Sequence, residues 1–115
     1  NVLRMLLART RAGGIAAVSF WAFAEDPRLA SKAVGATARA AEEPPFEGFS
    51  PHALEPGDYL LDWQGSSPYR YCHSFDEAEV SRLTEAVSGD ADEVGRFSAD
   101  GRTGNLNRYL VLRRH

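Results

Sequence analysis

The chain has 115 residues, of which 43% are hydrophobic and 25% charged, and this balance excludes disorder over the whole length. One cysteine, Cys72, and three histidines exclude an internal disulfide and a Cys/His zinc cluster, so no metal site is predicted. The longest uncharged stretch, residues 12–24, is too short and too rich in glycine and alanine to span a bilayer. Three arginines in the first eleven residues also argue against a secretory signal, so we expect a cytoplasmic chain.

The net charge of -3 conceals a segregation of charge along the chain. Residues 1–41 carry a net charge of +4, residues 42–93 carry -11 and residues 94–115 carry +4. If the two ends meet in the fold, they form one cationic face that suits an anionic substrate or a phosphate backbone. The alternative is that the basic ends neutralise the acidic middle.

The chain opens on a predicted helix followed by a predicted buried strand. Leu3, Leu6 and Leu7 have helical spacing, and the Gly13-Gly14 pair ends the helix with the left-handed backbone that glycine tolerates. Residues 15–22 then form a near-continuous apolar run. Such a run is typical of a strand that is buried on both faces in a parallel sheet.

A second helix, a loop and two extended segments follow. Asp26 and Pro27 provide an N-cap and a first helical position, so a helix is predicted over residues 27–41. Four prolines and two glycines predict a loop over residues 42–57. Two extended segments are predicted around a turn at residues 65–68, one over 58–63 and one over 70–75.

The last third of the chain predicts a helix and two strands. Asp76 and Glu79 form a capping box, and Val80, Leu83 and Val87 line one face of a helix over residues 76–88. A strand over 93–99, a loop over 100–105 and a strand over 107–113 complete the order. The predicted fold class is α/β, with a mixed sheet that is parallel in the main and ends in an antiparallel strand pair.

Part of this pattern resembles a known fold. The helix leading into Gly13-Gly14, with the run to Trp21, resembles the segment before and through the fifth strand of class I S-adenosylmethionine-dependent methyltransferases. The segments at 76–88 and 93–113 resemble that fold's last helix, sixth strand and reversed seventh strand. The resemblance implies the C-terminal half of a Rossmann-like methyltransferase domain over residues 1–115. Its parts would be a helix, strand and helix at 1–41, an acidic loop and small substrate-side insert at 42–75, and a helix with the last two strands at 76–115.

A narrower resemblance rests on three short motifs. These are Asp58-x-x-x-x-Trp63, Arg70-Tyr71-Cys72-His73-Ser74-Phe75 and Asn107-Arg108-Tyr109. They are similar to motifs in the C-terminal half of enzymes that methylate the carboxymethyl group at C5 of modified wobble uridines in tRNA. The resemblance implies the acceptor-binding half of such a methyltransferase, with tRNA as a partner. Two alternatives stay open: a segment of a small-molecule O-methyltransferase, and a non-catalytic half-domain that binds a partner chain.

The cofactor site is expected to lie mostly outside these residues. The family's spaced-glycine loop is absent, because Gly13-Gly14 follow a helix and make a cap. We therefore expect S-adenosyl-L-methionine to bind elsewhere, and this chain to be inactive alone. The strand at 15–22 would then lack a neighbour, which predicts that a missing N-terminal half or a complementary chain pairs with it. Trp21 is a candidate cofactor contact, because ligands bind at the ends of strands in open α/β sheets.

Methyl transfer to a carboxylate requires no general base, because this acceptor is already anionic near neutral pH. The chain must instead align the acceptor oxygen with the methyl carbon and replace part of its water shell. In a regular strand, Tyr71 and His73 share one face while Arg70 shares the other with Cys72. His73 becomes a candidate general base if the acceptor is a hydroxyl. The resemblance implies these substrate contacts: Trp63, Arg70, Tyr71, His73, Arg102, Asn105, Asn107 and Arg108.

Each candidate also has a purely structural interpretation. Arg70 could form a surface ion pair, and His73 could be a structural residue before the following helix. Trp63 could pack in the core instead of stacking on a base. Cys72 is expected to be a small buried apolar residue rather than a nucleophile. The turn between the last two strands also favours polar residues for backbone reasons alone, which applies to Arg102, Asn105 and Asn107.

Overall fold

A computed structural model describes residues 2–63 and 66–115, and for residues 63, 66 and 67 it describes the backbone alone. The chain divides into two compact units, residues 1–21 with 75–115, and residues 22–74. In chain order the elements are α1 (Val2–Ala8), β1 (Ile15–Trp21), α2 (Pro27–Glu42), β2 (Asp58–Trp63), β3 (Ser66–His73), α3 (Glu77–Glu85), β4 (Ala91–Ala99) and β5 (Asn107–Arg114).

The first unit contains a three-stranded sheet in the order β1-β5-β4. Both neighbouring pairs are antiparallel, so β1 and β4 run in the same direction with β5 reversed between them. The prediction of an α/β chain that ends in an antiparallel pair is confirmed. The expected parallel neighbours do not occur among the residues described, because β5 separates the two strands that run the same way.

The core of the first unit lies on one face of this sheet. Alternate residues of β5, Leu110 and Leu112, are fully buried there. Helices α1 and α3 cover them with leucine and valine side chains at helical spacing, as the sequence predicts. The buried cluster consists of Leu3, Leu7, Ala16, Phe20, Val80, Val87, Ala91, Leu110 and Leu112.

Strand β1 is buried on one face only, which corrects the prediction of a strand buried on both. Ala16 and Phe20 point into the core, whereas Ile15 remains 52% exposed and Ala17 and Ser19 are exposed as well. The apolar run therefore covers two different environments. Among the residues described, both helices of this unit, α1 and α3, pack on the core face of the sheet.

Helix α1 ends earlier than predicted, at Ala8, and a turn carries the chain to Gly13. Gly13 has the expected left-handed backbone, with a φ of 74°. Its N–H donates to the carbonyl of Arg114 at 2.8 Å, and Arg114 N–H donates to Gly14 O at 2.9 Å. The glycine pair therefore joins the start of β1 to the end of β5, and the prediction that it ends the helix is wrong, because α1 already ends at Ala8.

The second unit combines α2 with the hairpin of β2 and β3. The Asp26 side chain caps α2 by accepting from Arg28 N at 2.9 Å, and Pro27 occupies the first helical position, as predicted. The Thr37 hydroxyl joins α2 to β2, because it accepts a hydrogen bond from Leu60 N at 3.0 Å while it donates to the carbonyl of Ala33 at 2.7 Å. Strand β3 begins at Ser66, so residues 66–68 of the predicted turn are extended, and Gly65 lies outside the residues described.

Helix α3 begins as the capping box predicts. The Asp76 carboxylate accepts from Glu79 N at 2.7 Å, and the helix ends at Glu85, three residues before the predicted end. The longest helix that the structure describes has 16 residues, and no described helix has both the length and the apolar character needed to cross a membrane.

Leu110 provides a test of the core. We expect Leu110→Ala to lower the free energy of unfolding by about 2 to 5 kcal/mol, because it leaves a cavity between the sheet and the helices. Val94→Ala is the matched control on β4, where the side chain is 46% exposed, and its effect should stay within about 0.5 kcal/mol. Chemical denaturation of both variants measures the difference, and equal effects would contradict this position of the core.

Candidate functional site

Two of the sequence-predicted site residues meet on one carboxylate in the second unit. Asp58 and His73 are directly opposite each other in the β2–β3 hairpin. Asp58 Oδ1 lies 2.6 Å from His73 Nδ1 and accepts a hydrogen bond from Tyr71 Oη, also at 2.6 Å. Its other oxygen, Oδ2, accepts from Glu55 N at 2.9 Å. The prediction that Tyr71 and His73 share a face is confirmed, and Asp58 is the residue that joins them.

The hydrogen bonds favour the ionised form of the Asp58 carboxyl group. Partial burial by itself would raise the pKa of its carboxyl group, but the hydrogen bonds from Tyr71 and His73 outweigh burial and lower that pKa below its ordinary value. Asp58 is therefore an ionised carboxylate at neutral pH and can only accept hydrogen bonds. Because it only accepts, His73 Nδ1 carries the proton that the two groups share.

Gly57 allows the chain to pass closely beside this histidine. It has a left-handed backbone with a φ of 91°, which an L side chain rarely adopts. A Cβ atom at this position would lie 2.9 Å from His73 Cε1 and 2.8 Å from the carbonyl oxygen of Ser74. Glycine is therefore required both by the backbone conformation and by the approach of the imidazole.

Arg70 lies on the other face of β3. It is opposite Leu61, and the pairing from Asp58 to Leu61 continues without a bulge, so residues 70 to 73 alternate regularly between the two faces. Cys72, on the same face as Arg70, is a partly buried free thiol. Burial raises the pKa of this thiol and outweighs the opposing effect of the nearby Arg70 charge, which fits the expected small packing residue better than a nucleophile.

Trp63 is the last residue of β2, and its side chain lies outside the residues described. Trp21 ends β1, where it is half-buried and opposite Asn107. Its carbonyl oxygen accepts a hydrogen bond from Phe75 N at 2.9 Å. The structure thus places Trp21 at the end of its strand, as the sequence predicts.

The turn between β4 and β5 forms around Asp100, which sequence reasoning missed. Asp100 has a left-handed backbone with a φ of 72°, and its Oδ2 accepts from Asn107 Nδ2 at 2.9 Å and from the hydroxyl of Tyr109. These two hydrogen bonds, that of Tyr109 first, lower the pKa of the Asp100 carboxyl. Asn107 therefore helps to close the turn, while Arg102 and Asn105 are exposed within it. This geometry supports the structural interpretation of the turn residues.

Arg108 is a buried arginine whose guanidinium group is hydrogen-bonded within the fold. It is only 8% exposed, its Nη1 donates to Glu77 Oε2 at 2.8 Å and its Nε donates to the carbonyl of Phe75 at 3.3 Å. The other oxygen of Glu77 accepts from Arg96 Nη1 at 2.8 Å. One carboxylate in the first turn of α3 thus links two arginines, one on β4 and one on β5.

The structure also describes a cavity of about 260 Å³ in the first unit. Arg4, Arg114 and His115 are among the residues that line it, and none of the sequence-predicted site residues does. Arg4 and Arg114 give the cavity cationic side chains, and the hydrogen bond with the Asp92 carboxylate raises the pKa of the His115 imidazole. The sequence motifs and this cavity are therefore separate features.

Searches with family models, against curated proteins and against solved structures found no match to this chain.

Arg108 distinguishes a structural from an acceptor-binding role. We expect Arg108→Ala to lower the free energy of unfolding by about 1 to 3 kcal/mol, because it removes a buried side chain with its hydrogen bonds to Glu77 and to the carbonyl of Phe75. Arg113→Ala, at an exposed position on the same strand, should change it by less than about 0.5 kcal/mol. Thermal and chemical unfolding provide the comparison. A fully stable Arg108→Ala protein would show that the ion pair contributes nothing to the fold.

Glu77 predicts a loss of stability in acid. The Arg96 hydrogen bond, more than any other contact, lowers the pKa of the Glu77 carboxyl below its ordinary value of 4.5. Its contribution is therefore present above pH 4.5 and disappears as the pH falls through the lower pKa of the folded state. Glu77→Gln should be less stable than the parent near neutral pH, and its stability should decline less steeply in acid. Denaturation curves across this pH range measure both effects, and parallel curves would contradict the assignment.

Proposed function

We propose that this chain is the acceptor-binding part of an S-adenosylmethionine-dependent methyltransferase, which methylates a carboxymethyl-type modified uridine in tRNA. The observation that carries the proposal is the strand order β1-β5-β4 with the middle strand reversed. This is the arrangement that the resemblance implies for the last three strands of the class I fold. A tRNA substrate also agrees with a cytoplasmic location.

The acceptor chemistry is consistent with the β3 segment. A carboxymethyl group is ionised near neutral pH, so its oxygen is already a nucleophile and the protein needs to orient it. Arg70 has the planar, fork-shaped donor group that fixes a carboxylate, and it lies exposed on β3. Tyr71 is 60% exposed and has an aromatic ring on which a base can stack. Because Arg70 and Tyr71 lie on opposite faces of β3, in this proposal Arg70 binds the carboxymethyl group and Tyr71 stacks on a different base of the same RNA.

The cofactor belongs to a part of the enzyme that these residues do not supply. No spaced-glycine loop occurs between a strand and a helix in this sequence. The proposal therefore requires a second segment or chain that binds S-adenosyl-L-methionine and supplies the activated methyl group. Strand β1 is at an edge of its sheet, and Ile15 is 52% exposed, which supports strand pairing with that partner.

One observation favours a hydroxyl acceptor as the second candidate. Asp58 holds His73 by a hydrogen bond to Nδ1, which is the arrangement that orients a histidine for proton transfer. A small-molecule O-methyltransferase would use His73 as its general base. Its activity would then require the neutral imidazole, whereas transfer to a carboxylate would not.

Arg70→Ala tests the proposal. We expect the unaltered chain to bind an anticodon stem-loop with 5-carboxymethyluridine about tenfold more tightly than one with uridine, because an arginine–carboxylate pair contributes that much when partly desolvated. Arg70→Ala should bind both RNAs alike. Arg28→Ala, which removes an exposed arginine from the same unit, should retain the preference. Calorimetric titration of the three proteins measures it.

Equal affinity of the unaltered chain for the two RNAs would contradict the acceptor assignment. A preference that survives Arg70→Ala would keep the acceptor and exclude Arg70 as its carboxylate contact. The folded state of each variant is checked by its unfolding midpoint, so that a loss of binding is not confused with a loss of structure.

A further inference from the structure

Asp58 contacts two candidate acceptor-binding residues, Tyr71 and His73, but is not itself among the substrate contacts that the resemblance implies. Its carboxylate side chain is 12% exposed and that of His73 18%, whereas Tyr71 is 60% exposed. The carboxylate is therefore mostly covered and the tyrosine ring is presented outward. This difference in exposure indicates that Tyr71 can contact a bound molecule, whereas Asp58 can only hold the residues that do.

We propose that Asp58 is a positioning residue of the acceptor site, whose carboxylate holds the Tyr71 phenol and the His73 imidazole together in one preorganised arrangement. The inference rests on the proposed function for the identity of the acceptor. The arrangement itself rests on the contacts of Asp58 alone.

The first consequence concerns the histidine. Because an ionised carboxylate only accepts, the hydrogen bond at 2.6 Å requires a proton on His73 Nδ1 and fixes the orientation of the ring. A neutral His73 is then restricted to one of its two tautomers, with Nε2 as the hydrogen-bond acceptor. In neutral His73, Nδ1 is therefore always the hydrogen-bond donor and Nε2 always the acceptor.

The second consequence concerns the tyrosine. The Tyr71 hydroxyl donates to Asp58 Oδ1 at 2.6 Å, so its proton is not available to a bound methyl acceptor. Tyr71 therefore contributes the face of its ring, and stacking on a base requires nothing more. Fixing the ring before binding also lowers the entropy that binding would otherwise cost.

The third observation is that Asp58 itself is held in place. Its Oδ2 accepts from Glu55 N at 2.9 Å, and Asp58 N donates to Glu55 O at 2.9 Å, so the carboxylate and its backbone are both tied to the preceding turn. Gly57 lets this turn pass against the His73 ring, where a Cβ atom would lie 2.9 Å from Cε1. The group that positions the pair is thus rigid without any bound molecule.

The test uses the two ring nitrogens of His73 as reporters. In the 115-residue chain labelled with ¹⁵N-histidine, we expect the His73 spectrum to show a protonated Nδ1 at neutral pH. Asp58→Asn should lose this preference, because a single amide oxygen cannot accept from all three donors. Asp62→Asn is the matched control: it removes a carboxylate from the same strand, and its contact is with Arg39.

Binding of the two stem-loop RNAs is measured on the same proteins. Asp58→Asn should weaken binding of the carboxymethyluridine RNA about tenfold, since two hydrogen bonds to a charged group are lost. Tyr71→Phe keeps the ring and loses only one of these bonds, so it should weaken binding by about threefold and leave the His73 tautomer unchanged. Asp62→Asn should leave both readouts as they are.

The outcomes separate this inference from the proposed function. A His73 in the unaltered chain with a proton on Nε2 and none on Nδ1 would overturn the positioning role, and this measurement needs no variant to fold. Unchanged RNA binding by a folded Asp58→Asn protein would overturn the role in the acceptor site. If the unaltered chain does not distinguish the two RNAs, the proposed function fails, while the nitrogen spectra still decide whether Asp58 fixes the histidine.

Discussion

The position of β5 between β1 and β4 is the constraint on which the first unit depends. Both edges of β5 are used for hydrogen bonding, and its inward side chains, Leu110 and Leu112, are the centre of the buried cluster. The helices α1 and α3 become stable by packing on this strand, because short helices gain most of their stability from tertiary contacts. Without β5, neither β1 nor β4 would have a neighbouring strand among the residues described.

Three carboxylates organise the polar residues that the sequence singles out. Glu77 joins Arg108 to Arg96, Asp58 joins Tyr71 to His73, and Asp100 joins Asn107 to Tyr109. The charge segregation along the chain acquires a physical meaning from these contacts. Arg96 and Arg108, from the basic last segment, pair with an acidic residue of the middle segment, which supports mutual neutralisation more than a continuous cationic face.

Local signals in the sequence predict the elements well. Asp26-Pro27 and Asp76 with Glu79 fix the starts of two helices, because a cap involves residues that are three or fewer positions apart. The apolar run of β1 predicts a strand, but it does not tell which face would be covered, since burial depends on what packs against the strand. Periodicity also predicts that Tyr71 and His73 share a face.

The supporting residues of the candidate site could not be predicted from spacing. Asp58 is fifteen positions from His73, and only the register of the hairpin makes them opposite neighbours. The partnership of Glu77 with Arg108 spans thirty-one positions. An aspartate or glutamate in the sequence predicts a negative charge, but it does not predict which residue will pair with that charge. Asp58 begins one of the three motifs, but nothing in its spacing indicates the histidine, and the close approach of Gly57 to the imidazole arises only in the folded hairpin.

The hydrogen bond from Phe75 N to Trp21 O has a consequence for the order of folding. The 53 residues of the second unit, 22–74, separate Trp21 from Phe75 in the sequence. In the fold, Phe75 N and Trp21 O are 2.9 Å apart. Pairing β1 with β5 therefore requires closure of a long loop, which is entropically costly. Within the looped-out segment, the Ser74 hydroxyl accepts from Ala24 N at 3.0 Å, so that segment draws its own ends together when it folds. If the second unit folds first, the loop that must close before β1 can pair with β5 becomes effectively shorter. The folding rate of the second unit then limits the rate at which the three-stranded sheet of the first unit forms, although that sheet contains no residue of the second unit.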